Sequence, residues 1–171
     1  KADNTYIFFT GDHGLSVGKH GLLGKQSMFD HSIRVPLIVA GPGIPKNTKI
    51  DQEVYLQDIM PTTLEIGGVE IPSSNSFKSF LALLKGEHNK PSYPEGIYGA
   101  YIDFQRMIRK NDFKLIVYPK INKVLLFNLK DDPLEKIDLS NEIEFKEVKK
   151  SLISDLKFLQ HKMGDSLKLN F

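Results

Sequence analysis

Cysteine is absent from the 171 residues. That absence removes disulfides, zinc–thiolate sites and a cysteine nucleophile from this stretch of chain. No apolar run approaches the ~20 residues that cross a bilayer, so no transmembrane helix and no membrane partner is expected. Net charge is only +2, with no block of five or more like charges, which gives no reason to expect nucleic acid. The five histidines never fall in the HxH or HExxH spacing of a zinc protease. No internal repeat, low-complexity segment or secretory-signal pattern is visible. The chain begins with Lys1 and enters a strand within a few residues, so it reads as a piece of a longer protein. Its 40% hydrophobic and 26% charged content is that of a globular chain, long enough for one domain or a core portion plus an appendage.

What is present is organised around Thr5–Lys25. Tyr6 to Phe9 are aromatic or β-branched and uncharged, as in a strand covered on both faces. Thr10-Gly11 breaks the run and delivers Asp12 and His13 with glycine on either flank. In open α/β sheets, ligands sit just beyond the carboxyl ends of strands. Lys19, His20 and Lys25 follow, separated by glycines. One acid and four cationic or titratable side chains on a short glycine-rich excursion suggest a metal together with an anionic substrate.

Further along, residues 26–32 suit one or two helical turns with Met28 and Phe29 inward, and 33–40 a second apolar strand entered through Pro36. Asp58 suits the N-cap of a helix through Ile66, closed by Gly67. These elements fit a mostly parallel sheet with covering helices. A short helix is expected over 77–84 and a loop with two prolines over 87–95, where the composition shifts. From Gly96 the pattern becomes an antiparallel meander: strands over 97–104, 106–109, 113–118 and 123–128. A long helix over 142–163 follows, with a capping-box-like Asn141/Glu144 start and Phe145, Val148, Leu152, Leu156, Leu159 and Met163 on one face. Two parts are expected: residues 1–86, from an α/β core, and 87–171, a small α+β subdomain.

Thr10-Gly11-Asp12-His13-Gly14, Gly18-Lys19-His20-Gly21-Leu22-Leu23-Gly24-Lys25 and Ile33-Arg34-Val35-Pro36-Leu37-Ile38 resemble the second half of a sulfatase of the bacterial arylsulfatase and choline-sulfatase type. Residues 54–64 resemble that family's helix after its second core strand, and 126–135, with Asp132-Pro133-Leu134-Glu135, its "LYDLxxDPxE" segment. The resemblance implies an alkaline-phosphatase-like α/β sheet with covering helices, present in part, plus a small antiparallel sheet packed by a long helix. It implies hydrolysis of sulfate esters of small molecules or glycans, with Ca²⁺ rather than Mg²⁺ and a formylglycine nucleophile. A periplasmic or secreted location goes with it. The family's Cys-or-Ser-x-Pro-x-Arg segment and its N-terminal Asp pair have no counterpart here. The 171 residues alone are therefore expected to be inactive, and the N-terminal half of the same enzyme is the expected partner. Self-association through an exposed sheet edge is the other. A phosphodiesterase or phosphonate monoester hydrolase of the same superfamily, and a non-catalytic binding piece, are the rival readings.

Each site residue carries two readings. Asp12 is a hard oxygen ligand or a turn-capping residue. His13 is a metal ligand or a donor behind one. By resemblance Lys25 touches the substrate sulfate as a point charge, against a solvated surface lysine, and His20 contacts substrate or protonates the leaving group, against a plain loop histidine. Lys19 is expected in water, Arg34 paired with an internal carboxylate, and Asp30 and His31 at the rim of the site. Arg106, Arg109 and Lys114 are expected to face water from the meander, the alternative being an anion patch.

Overall fold

The computed structural model describes residues 1–87 and 93–169. In chain order the elements are β1 (Ile7–Thr10), β2 (Ser16–Val17), β3 (Leu23–Gly24), α1 (Asp30–Ile33), β4 (Leu37–Ala40), α2 (Ile59–Ile66), α3 (Leu81–Leu84), β5 (Ile97–Tyr101), β6 (Gln105–Lys110), β7 (Phe113–Tyr118), β8 (Lys123–Asn128) and α4 (Lys146–Lys162). Residues 88–92 of the expected 87–95 loop lie outside the described residues. Among those described, no helix is long and apolar enough to cross a membrane.

The chain forms two compact units, each discontinuous. The first takes Lys1–Asp12 and Pro36–Pro94, the second His13–Val35 and Glu95–Phe171. The sequence places a single change near residue 86. The structure instead puts residues 13–35 with the C-terminal sheet, because Met28 and Phe29 are buried there against Met107, Ile116 and Phe127.

In the first unit β1 and β4 pair antiparallel, Ile7 opposite Ala40 and Thr10 opposite Leu37. The mostly parallel arrangement expected from sequence does not apply to this pair. A parallel pair needs a crossover that returns to the strand's starting end. The chain between Thr10 and Leu37 comes back to the end it left. Phe8, Leu37 and Val39 pack on Phe80, Leu83 and Leu84, whereas Ile7, Phe9 and Ile38 on the other face are each 61% exposed. Tyr6–Phe9 is thus covered on one face, not two, since this chain supplies one covering layer. The strand expected over 33–40 is confined to Leu37–Ala40: Ile33 closes α1, and Pro36 has no N–H for a ladder.

Asp58 precedes α2 but makes no side-chain cap to it. Its buried carboxylate instead accepts from Tyr55 N–H (2.8 Å), Lys78 N–H (3.0 Å) and the Tyr93 hydroxyl (2.5 Å). Burial, then the bond to Asp58, pushes the Tyr93 phenol far above its ordinary range. The helix expected over 77–84 shrinks to Leu81–Leu84. The Asn75 amide bonds both the N–H and the C=O of Phe77, and Thr62 Oγ1 accepts from Phe80 N–H at 3.0 Å. Those backbone groups are lost to a helical turn.

The second unit is the meander β5-β6-β7-β8, with every neighbouring pair antiparallel. Its strands follow the expected order; β5 stops at Tyr101. Ile108, Leu115, Val117 and Leu126 face α4, where Leu152, Leu156 and Leu159 complete a core. The opposite face receives Met28 and Phe29. The sheet is therefore covered on both sides, which overturns the expectation that Arg106, Arg109 and Lys114 face water. Arg106 points toward the α4 side and pairs with Asp165, Arg109 lies 3.4 Å from Asp30, and Lys114 has no exposed surface at all. The Asn141/Glu144 capping box does not form. A 3₁₀ turn over Ile143–Phe145 precedes α4, with Phe145 packed at 5.9 Å from Phe113.

Candidate active site

Asp12 stands two residues past β1, exposed, at an open depression of about 540 Å³ that it lines with Thr10, Gly11, Gln57, Met60 and Thr63. The residues just past the end of β1 thus line a shallow depression on the first unit.

In the second unit, His13 and Lys25 come together, with Lys25 Nζ 2.6 Å from His13 Nε2. The other ring nitrogen, Nδ1, lies 2.9 Å from the Gly14 carbonyl. A carbonyl only accepts, so Nδ1 carries the proton and Nε2 takes a hydrogen bond from the lysine ammonium. Gly14 is held by its N–H donating to Ser32 O at 2.8 Å. A Cβ at Gly14 would meet His31 O at 2.0 Å, so only glycine permits this approach and the placing of His13 that goes with it. The β2–β3 hairpin is closed by Ser16 Oγ, within hydrogen-bond distance of Lys19 O (3.0 Å) and Leu22 O (2.9 Å).

His20 sits at that hairpin with φ +54°, its ring flat on Phe29 at 4.1 Å between centroids. His31 joins the stack, 5.6 Å from His20. Its Nε2 lies 3.2 Å from Ser27 Oγ, and its buried Nδ1 has no hydrogen-bond partner. Burial, then the neighbouring His20, Lys19 and Lys114, pushes the His31 imidazole below its ordinary range. Lys19 is exposed, as expected. Arg34 reaches Asp30 at 3.8 Å from a mostly exposed position. Asp30 is no rim residue. It accepts from Lys114 Nζ at 2.5 Å, and its N–H donates to Glu135 Oε2 at 2.7 Å.

Among the described residues no group of three His, Asp or Glu is arranged to hold a metal. Ca²⁺ takes six to eight oxygens. Asp12 suits as one of them; His13 already has both ring nitrogens at partners within this chain. These residues do not by themselves make a calcium site.

Sequence reasoning missed three residues that hold the Lys25–His31 segment: Gln105, Lys114 and Glu135. Only Glu135 carried a signal, its place in the Asp132-Pro133-Leu134-Glu135 segment.

The model of the family described as N-sulphoglucosamine sulphohydrolase, C-terminal, matches residues 18–162. Arylsulfatase K of Canis lupus familiaris is 35% identical over 166 residues, covering 90% of this chain and 31% of its own length. The N-acetylglucosamine-6-O-sulfatase of Bacteroides thetaiotaomicron is 30% identical over 175 residues, covering 96% of this chain and again 31% of itself. The chain thus spans about a third of these relatives. Among solved structures, a 2-O GAG sulfatase superposes with a TM-score of 0.85 at 26% identity, over 98% of this chain and 39% of that one. The phosphonate monoester hydrolase of Agrobacterium radiobacter, at 23% identity and TM-score 0.78, covering 94% of this chain and 36% of its own, shares the fold alone.

Proposed function

The chain belongs to the sulfatases, matching the C-terminal domain of that family, and on that premise we propose that it is the C-terminal portion of an enzyme hydrolysing sulfate esters of sugars. The observation that carries the reading is the Lys25–His13 pair, set on a glycine-rich segment beside the His20–Phe29 stack. In this reading Lys25 holds an oxygen of the sulfate group as a compact positive charge and stabilises the charge that develops as the ester bond breaks. His13 orients Lys25. His20 is held by the face of its ring, which leaves the nitrogens at the ring edge to meet the ester oxygen and give it a proton. Asp12 contributes one hard oxygen to Ca²⁺, whose remaining ligands, like the formylglycine nucleophile, come from sequence outside this chain. The nearest partner is therefore the N-terminal portion of the same enzyme. The relatives named for N-acetylglucosamine and GAG sulfation support a sulfated glycan as substrate. Such a substrate suits a periplasmic or secreted enzyme.

The test is turnover by the longer protein that contains this chain, on 4-nitrocatechol sulfate and on a phosphonate monoester. Sulfate-ester hydrolysis is expected, and Lys25→Ala lowers its rate by roughly a hundredfold, the effect of losing one preorganised donor. Near-normal turnover in that variant, or activity confined to the phosphonate ester, overturns the reading.

A further inference from the structure

The turn that carries Lys25 is gripped from the sheet by a single neutral side chain. Gln105, at the start of β6, is buried, and its amide bonds the chain on both sides of Ser27. Its Nε2 donates to Gln26 O at 3.3 Å, and its Oε1 accepts from Met28 N–H at 3.0 Å. The amide orientation is fixed by these partners, since a carbonyl accepts and an N–H donates. A side chain thus makes the two bonds that an adjacent strand would make. Within the turn, Ser27 N–H donates to Lys25 O at 2.8 Å, so the gripped residues are covalently and by hydrogen bond the immediate neighbours of Lys25. Two residues further on, the Asp30 N–H reaches Glu135, and Asp30 and Glu135 share Lys114. That second anchor keeps the far end of the segment from swinging.

We propose that Gln105 is a positioning residue for Lys25: it sets the turn so that the ammonium meets His13 Nε2 and faces the anionic substrate. The proposal rests on the reading of Lys25 given above, but its geometric content stands apart from turnover. A mobile turn lets the exposed lysine leave His13. A misplacement of 1 Å in a catalytic group costs on the order of a hundredfold in rate.

The experiment compares the longer protein that contains this chain with its Gln105→Met variant, which keeps the volume and removes both bonds, and with its Val148→Ala variant. Val148 packs on the α4 side of the sheet, away from the turn, and its truncation reports a general loss of stability. Amide exchange at Met28 and the ¹⁵N signals of the His13 ring are read at one pH. In Gln105→Met the Met28 amide is expected to exchange about tenfold faster than in the parent, the effect of one lost hydrogen bond. The two His13 nitrogens are expected to move toward each other as the single tautomer is lost. In Val148→Ala the β6 and β7 amides speed up together and the His13 signals stay where they were. Unchanged Met28 exchange and unchanged His13 signals in Gln105→Met overturn the proposal, as does Val148→Ala reproducing both changes. Should Gln105→Met not fold, Gln105→Glu keeps the acceptor for Met28 and drops the donor to Gln26. A shifted His13 with Met28 still protected supports the role, and no change in either overturns it. These readouts need no substrate. A failure of the sulfatase reading, seen as normal turnover in Lys25→Ala, is therefore distinguishable from a failure here.

Discussion

Replacing Lys114 by methionine should be the most damaging conservative-volume change in the second unit. The Lys114 side chain has no exposed surface; its ammonium donates to Asp30 at 2.5 Å and to Glu135 at 2.6 Å, and Glu135 is itself 2% exposed. Methionine fills the space but leaves two carboxylates facing each other, with Arg109, 3.4 Å from Asp30, as the nearest remaining cation. Removing one partner of a buried ion pair costs about 3–5 kcal/mol. That is a large part of the ~5–15 kcal/mol by which a domain is stable. With a urea dependence of about 2 kcal/mol per molar, the midpoint should fall by roughly 1.5–2.5 M. The double variant Lys114→Met/Glu135→Gln should recover at least ~1 kcal/mol of the loss, because the second carboxylate is gone while a carbonyl remains to accept from Asp30 N–H. Urea unfolding followed by circular dichroism measures both. A loss below about 1 kcal/mol for Lys114→Met, or a double variant less stable than the single, would refute the view that this cluster is held by charge balance.

Asp165 accepts from Arg106 and Tyr98 and from Leu167 N–H at 3.0 Å. Burial alone would raise its carboxyl, but these partners outweigh it and hold the group well below the usual carboxylate range. A depressed carboxylate stabilises the fold above its unfolded pKa of about 4, and the contribution fades as pH falls below that. Asp165→Asn should therefore lower the melting temperature at pH 7, by a gap that begins to narrow only as pH falls below about 4; a gap that stays constant from pH 7 down to 3 contradicts this. Leu156→Ala, at a fully buried position, should cost about 2–5 kcal/mol in urea unfolding, against less than about 0.5 for Ile143→Ala, which is 90% exposed; similar costs would sink the packing argument. Amide exchange should be slower over Phe113–Asn128 than over Ile7–Thr10 and Leu37–Ala40, since the first lies in a four-stranded sheet covered on both sides and the second in a two-stranded pair bare on one. Stronger protection in β1 and β4 would reverse the ranking.

The strand–turn–strand rhythm of the meander was legible because alternation and turn residues act within ten residues of one another, and α4 because its leucines recur at helical spacing. That His13 and Lys25 lie on one glycine-rich excursion was legible from the glycines between them, and the structure brings these two side chains together. What stayed hidden depends on partners far along the chain. Lys114 and Arg109 read as a solvated face, since alternating charge on a meander ordinarily faces water. Only the arrival of Met28, Phe29 and Asp30 on that face makes it an interior. Phe77–Phe80 has helical content in its residues but spends its backbone hydrogen bonds on Asn75, Asp58 and Thr62, two of which are local to a different helix. The antiparallel pairing of β1 with β4 follows from where the intervening chain goes, and no periodicity within either strand records that.

The interleaving of the two units has a consequence in time. Met28 and Phe29 lie on a face completed by β6, and the Met28 N–H finds its acceptor 77 residues later, while the Asp30 N–H waits for Glu135, 105 residues on. At a synthesis rate of about 5–20 residues per second, the first of these partners is made roughly 4–15 s after Met28. For that interval an apolar turn bearing Lys25 has no sheet to settle on, although its two ends already belong to strands able to pair. The order of events expected during synthesis is therefore strand pair first and the Lys25 turn last. A ribosome paused between residues 40 and 105 should carry a nascent chain whose Lys25 segment is the protease-sensitive one.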